Sequence, residues 1–166
     1  MKEIFKNCNL FVDGHGYAGQ VTELTPPKLE IKTEDFKAGG MDGSVPIDMG
    51  MEKLEASFKL ISFTKEMLTL WGLKQGGFVP FTIKGALENQ TGEIIPLNMK
   101  LRGKIKTLDF GNFTAGEKAE LSINIDVVYY ELSHNNEVIH EIDIENTVRI
   151  INGIDQLEQT RSALGV

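Results

Sequence analysis

Apolar and polar residues alternate one by one through most of this chain, and no other sequence feature restricts its fold as tightly. From Ala119 onward, Leu121, Ile123, Ile125, Val127 and Tyr129 alternate with Glu120, Ser122, Asn124 and Asp126. Successive side chains of an extended strand point to opposite faces, so such a segment buries one face and wets the other. Leu97, Met99, Leu101 and Ile105 alternate with Asn98, Lys100, Arg102, Lys104 and Lys106 in the same way. Val79, Phe81 and Ile83 form a third set, and Leu54, Ala56, Phe58 and Leu60 a fourth. The pattern predicts further strands at about 17–24, 28–36 and 138–144.

Turn residues stand between these runs at Asp13-Gly14, Pro26-Pro27, 89–92, Gly111-Asn112 and Asn135-Asn136. One segment reads as helix: Thr64 can cap it, Met67, Leu68 and Trp71 follow at helical spacing, and Gly72 stops it. A second, shorter helix is expected within 154–164, where Ile154, Leu157, Arg161 and Leu164 recur at helical spacing. No linker or internal repeat divides residues 1–166. The expectation is one mainly β domain, a sandwich or barrel carrying a short helix.

An apolar fraction of 41% with 25% charged residues is the balance of a cored protein. The net charge of −7 argues against holding nucleic acid by phosphate neutralisation, but suits a surface that nucleic acid passes without sticking. One cysteine, Cys8, leaves no internal disulfide framework. The first residues lack a signal-peptide apolar run, and no segment approaches the roughly 20 apolar residues of a membrane span. These features lead us to expect a soluble protein made in the cytoplasm.

Chemistry is hard to find. His15, His134 and His140 do not stand at metal-ligand spacing with other ligands, and His15 in DGHGY reads first as part of a tight turn. There is no nucleophile elbow and no cysteine motif around Cys8. No catalytic, metal or cofactor site is therefore expected. Lys100, Arg102, Lys104 and Lys106 share one strand face. They form either a solvated stripe paired with acids such as Glu120 and Asp126, or a docking stripe for an acidic partner surface.

The stretch DFKAGGMDGSVPIDMGME, residues 35–52, is the least ordinary segment. It lacks the G-K-[ST] ending of a phosphate loop. Two readings remain: a plain hairpin turning at Asp42-Gly43, or an arm of about residues 36–51 that lies on another protein. In the second, Gly39, Gly40 and Gly43 give flexibility around Met41 and Asp42, while Val45, Ile47, Met49 and Met51, with Phe36, supply the grip. Each such side chain contributes roughly 1.5–3 kcal/mol on full burial. Ordering each flexible residue costs about 1–2 kcal/mol. Four apolar anchors thus about break even, and such an arm orders only where many interfaces cooperate.

Several separated motifs carry a family resemblance. NLFVDGHGYAG, LTPPKLEIKTEDFKAGGMDG, PIDMGME and the closing VRIINGIDQLEQTRSALGV occur in order along nearly the whole chain. Together they resemble the major tail tube protein of contractile-tailed phages and the inner tube of R-type bacteriocins. The resemblance implies a β-sandwich-like subunit that forms hexameric rings, stacked into a hollow tube inside a contractile sheath. Its implied partners are further copies of itself, the sheath protein, the baseplate tube initiator, a terminator and the tape-measure protein in the lumen. DNA in a phage, or ions in a bacteriocin, would pass through without specific binding. The implied location is the virion tail or bacteriocin particle, assembled in the bacterial cytoplasm, with no membrane insertion by this subunit. Within that picture the basic stripe is placed outward or against neighbouring acids, because a basic lumen would hold phosphate. A type VI secretion tube protein and a small-ligand-binding β-barrel are the alternatives.

Overall fold

The structure, a computed structural model, describes residues 2–166. β1 (Ile4–Val12) turns through Asp13 and Gly14, both at positive φ, into β2 (His15–Gly16), and β3 (Val21–Thr25) follows. β4 (Ile31–Phe36) and β5 (Val45–Met51) leave the main sheet and pair only with each other. The chain returns in β6 (Leu54–Leu60), makes α1 (Lys65–Leu68), and continues through β7 (Val79–Glu88), β8 (Ile94–Asp109) and β9 (Leu121–His134). β10 (Glu137–Asp143), β11 (Val148–Ile151), β12 (Ile154–Asp155) and α2 (Glu158–Leu164) complete it.

β9 organises the ten-stranded main sheet. One edge pairs with β8 along nearly its whole length. The other edge is shared: residues 121–127 pair with β6, and residues 129–134 with β10. The change of neighbour falls at Val128, which has no partner in β8 because Arg102 stands opposite Tyr129 and Gly103 opposite Val127. Such a bulge bends the strand and increases its twist. The sheet rolls accordingly: the rings of Phe58 on β6 and Phe81 on β7 lie 6.0 Å apart, although β9 and β8 separate their strands. A flat sheet would hold strands that far along it about 14 Å apart.

Rolling brings the apolar faces of β1, β6, β7, β8 and β9 into one core, with Met67 of α1 and Tyr17 inside it. It does not close. The free edges of β1 and β3 face one another across an open seam, so the molecule is a rolled sheet and not a sealed barrel.

Local structure departs from the alternation pattern where bulges intervene. Tyr129 was expected on the buried face; the Val128 bulge reverses the parity, so Tyr130 is buried and Tyr129 joins the polar face. β1 escaped the pattern because Asn7, Cys8 and Asn9 interrupt its apolar run. The first helix is a single turn over 65–68, shorter than the expected 64–71. Thr64 caps it through Met67 N–H, but the next bond is the tighter Leu70 N–H to Met67 carbonyl, and Gly72 then takes positive φ. Trp71 therefore lies outside the helix, exposed, donating its indole N–H to the Lys106 carbonyl at 3.1 Å. At the other end, Asn152 and Gly153 at positive φ make a hairpin turn, so Ile154 belongs to β12 and the helix begins only at Glu158.

Of the glycines, Gly103 is the one most tightly enclosed by neighbouring backbone. A Cβ there would stand 2.2 Å from the Asp126 carbonyl oxygen, with the Val127 Cα at 3.1 Å, so β8 and β9 could not keep this spacing around a side chain. Gly103→Ala is expected to lower the unfolding free energy by about 3 kcal/mol. Gly43→Ala, where a Cβ meets nothing within 4 Å, is expected to change it by less than about 0.5 kcal/mol. Urea denaturation of both variants checks this, and equal midpoints would contradict the packing argument.

Candidate assembly interface

β4 and β5 pair as a hairpin, one of the two readings left open by the sequence. It is a hydrogen-bonded antiparallel pair, yet most of its apolar side chains do not rest on the core. Phe36 is opposite Val45 and Glu34 opposite Ile47, so Phe36, Val45, Ile47 and Met49 occupy one face, with Glu34 among them. The four apolar residues are about half exposed, at 51%, 48%, 44% and 51%. Asp35, Pro46, Thr33 and Asp48 take the other face.

Met51 does not belong to the exposed set. β5 carries an extra residue where Ile31 pairs with Met51 and Thr33 with Asp48. Gly50 takes the required positive φ of 104° there, and Met51 is turned to pack against the core. The tip, residues 37–44, is a longer loop than an Asp42-Gly43 turn. Met41 N–H bonds back to the Ala38 carbonyl, and Gly40 takes a φ of 86°. A Cβ on Gly39, Gly40 or Gly43 would meet nothing within 4 Å, so these glycines do not serve close approach to anything in the chain.

Little holds this hairpin to the body. At its base the Glu52 N–H bond to the Glu30 carbonyl, at 2.8 Å, joins the two legs of the hairpin to each other. Farther out, Arg149 of β11 donates to Asp48 at 2.9 Å. The Gly50 N–H, first, and then Arg149 hold the Asp48 carboxyl below its usual range, partly opposed by desolvation. Arg161 of α2 pairs with Asp155 of β12 and also bonds the Thr147 carbonyl in the β10–β11 turn, fixing α2 against these two segments.

Lys100, Arg102, Lys104 and Lys106 lie on the convex face of β8, away from the core. Lys100 stands opposite Glu131 and Lys104 opposite Asp126 in β9, but Asp126 makes its ion pair with Lys53, at 3.1 Å. Among the described residues, none of these three lysines forms an ion pair. Glu120, expected as a partner, precedes β9 and is exposed. Arg102 lies over the Tyr129 ring, 5.4 Å from its centre. The Tyr129 hydroxyl lies 3.0 Å from Glu131 and 3.2 Å from Glu141, a cross-strand carboxylate pair. Burial, reinforced by these carboxylates, pushes its phenol above the usual range.

The sequence reading missed an aromatic cluster at the end of the rolled sheet. Phe63 stacks on Phe110 and meets Phe113 edge-on, with both centroid distances 5.9 Å. Phe113 is 73% exposed. Isolated aromatics in loops give no periodic signal, and only the fold brings residue 63 beside 110–113. The histidines stay apart: His134 pairs with Glu3 at 2.7 Å, and His140 sits in β10. Among the described residues, no group of three or more His, Cys, Asp or Glu is placed to hold a metal.

The Asp48–Arg149 contact yields a pH prediction. Because the folded-state pKa of Asp48 lies below its ordinary value of 3.8, its contribution is present above that value and is lost as pH falls through the lower folded value. Arg149→Ala is expected to speed amide exchange several-fold in β4 and β5 without changing β8 and β9. Wild-type protein should show the same local loosening below pH 3.8. Exchange rates corrected for intrinsic pH dependence are the readout; uniform changes over the whole sheet would contradict a local anchor.

Comparison with known proteins places this architecture. Residues 2–165 match the family model described as phage tail tube protein FII. The chain is 31% identical over 170 residues to the tail tube protein of Escherichia phage P2, covering 100% of this chain and 99% of that protein. It is 32% identical over 141 residues to the major tail tube protein of Serratia phage KSP20, covering 84% and 81% respectively. Its fold is similar to a chain in the extended sheath–tube complex of an extracellular contractile injection system, with a TM-score of 0.60 at 13% identity, over 76% of this chain and 88% of that one. A chain of the sheath/tube terminator of that system gives a TM-score of 0.58 at 13% identity, over 76% and 93%. The match spanning the whole rolled sheet and its hairpin shows that the chain belongs to the phage tail tube protein FII family, a family of structural tail subunits and not of enzymes.

Proposed function

We propose that copies of this chain assemble into hexameric rings that stack into the hollow inner tube of a contractile tail, and that the β4–β5 hairpin is the arm by which each copy grips another. The observation that carries this reading is the uncovered apolar face of Phe36, Val45, Ile47 and Met49 in a chain whose length matches tail tube proteins. A subunit that joins others head to tail needs two different surfaces, since only a heterologous contact generates rings or filaments. Free edges on β1 and β3 are also places where a sheet can continue into another chain.

The pairing of β4 with β5 alters the energetics of gripping. A lone two-stranded hairpin is marginal in water, but its backbone is already partly ordered before it meets a partner. Docking then costs less ordering entropy than for a structureless loop, and the four apolar side chains contribute net affinity.

In this reading the virion tail is the protein's place, the sheath surrounds the tube, and the baseplate initiator, terminator and tape-measure protein meet it at its ends and lumen. DNA passes through without specific binding, or ions do so in a bacteriocin. The net charge of −7 supports passage of phosphate without adhesion. The stripe from Lys100 to Lys106 turns outward or toward an acidic neighbouring surface. An enclosed small-ligand site is disfavoured by the open seam between β1 and β3.

A concentration series of wild-type protein viewed by negative-stain microscopy is expected to give rings or tubes of uniform width; a monomer at all concentrations would refute the assembly. Ile47→Asp places a charge on the exposed apolar face. Its melting temperature should stay within a few degrees of wild type, while the concentration needed for tubes rises at least tenfold. Tubes at the wild-type concentration would rule out the hairpin as the gripping arm.

A further inference from the structure

The free edge of β1 is occupied by side chains of its own strand. In an antiparallel strand, alternate residues direct their backbone groups to opposite edges. Cys8 and Leu10 direct theirs away from β7, and no strand receives them. Instead, the Asn7 side-chain oxygen accepts from Cys8 N–H at 2.9 Å and the Asn9 oxygen from Leu10 N–H at 2.8 Å. The Leu10 carbonyl is already taken by Tyr17 N–H at 2.9 Å. What this edge offers a newcomer is therefore the Cys8 and Leu10 N–H groups, now held by Asn side chains, and by the same alternation the Cys8 carbonyl. Beside it runs the seam toward β3, a groove of about 570 Å³ whose floor and walls include Phe5, Cys8, Leu24, Ile83, Leu97 and Met99.

We propose that this edge and groove seat the β4–β5 hairpin of a second copy, β5 lying along β1 so that its carbonyls displace the Asn7 and Asn9 side chains. The proposal rests on the reading of the chain as a self-assembling tube subunit and names the receiving surface. Three features select this occupant. Apolar surface meets apolar surface: Glu23 is the one charged residue lining the groove, while Val45, Ile47 and Met49 lie together on one face of β5, the one acid of that face, Glu34, standing on β4 and Asp48 pointing the other way. Length is matched, since β5 has 7 residues and β1 has 9. Hydrogen bonding is compatible: Pro46 lacks only a donor, and its carbonyl can take one of the two N–H groups of the β1 edge. The chain's own hairpin does not fill the groove. It is tied by Asp48 to Arg149 on β11, and none of its residues lines the seam.

Cys8, the only cysteine, makes the proposal directly testable. Ile47→Cys and, separately, Met49→Cys are introduced, tubes are assembled, oxidised with copper phenanthroline in air, and run on non-reducing gels. The expected result is a reducible ladder of multimers in at least one variant, absent from wild-type tubes and from the same variant carrying Cys8→Ser. Tubes of normal width without a ladder in either variant would overturn the seat while leaving the tube reading intact; absence of wild-type tubes would instead overturn that reading. A second measurement needs no variant. Amide exchange at Cys8 and Leu10 should slow at least tenfold between wild-type subunits and wild-type tubes, and unchanged exchange there would overturn the proposal.

Discussion

The ladder between β8 and β9 is the constraint on which the other elements depend. Its two strands approach so closely at Gly103 that the Asp126 carbonyl occupies the space of a side chain. Immediately beyond, the Val128 bulge bends β9 and divides its outer edge between β6 and β10. Together with the ladder's second irregularity, at Lys106, that bend accompanies the rolling of the sheet and the placement of Phe58 against Phe81. The rolled sheet turns its apolar face into a core while leaving β1 and β3 without partners on one side.

Much of this architecture was legible because side-chain alternation reports burial directly. Leu54 to Leu60 could be read residue by residue, and the buried positions of β9 up to Val127 likewise. Bulges defeat the same reasoning, since one inserted residue reverses every later face without leaving a compositional mark. Tyr129 and Met51 were misassigned for this one reason. β1 was obscured differently: Asn7 and Asn9 look like turn residues, and their actual work of occupying a free edge depends on which strands the fold leaves unpaired.

The hairpin was visible as an oddity of glycine and alternating apolar residues, but not as an object. Sequence could not distinguish a structureless arm from a paired one, because strand pairing is decided by the partner and not by the segment alone. Nor could it show that Asp48 would meet Arg149, which lies 101 residues away. The recurring motifs along the chain identified the family; the physical pattern supplied what those motifs leave silent, namely which atoms are covered and which are bare.

That separation between Asp48 and Arg149 has a consequence for the order of events during synthesis. A chain made from its N-terminus has the hairpin outside the ribosome long before Arg149, and β1 must wait for β7. In the proposed assembly the gripping face and its receiving edge thus mature at different times, the anchor coming last. On that reading a nascent chain carries an incomplete connector, and chain order itself delays polymerisation until synthesis has passed β11.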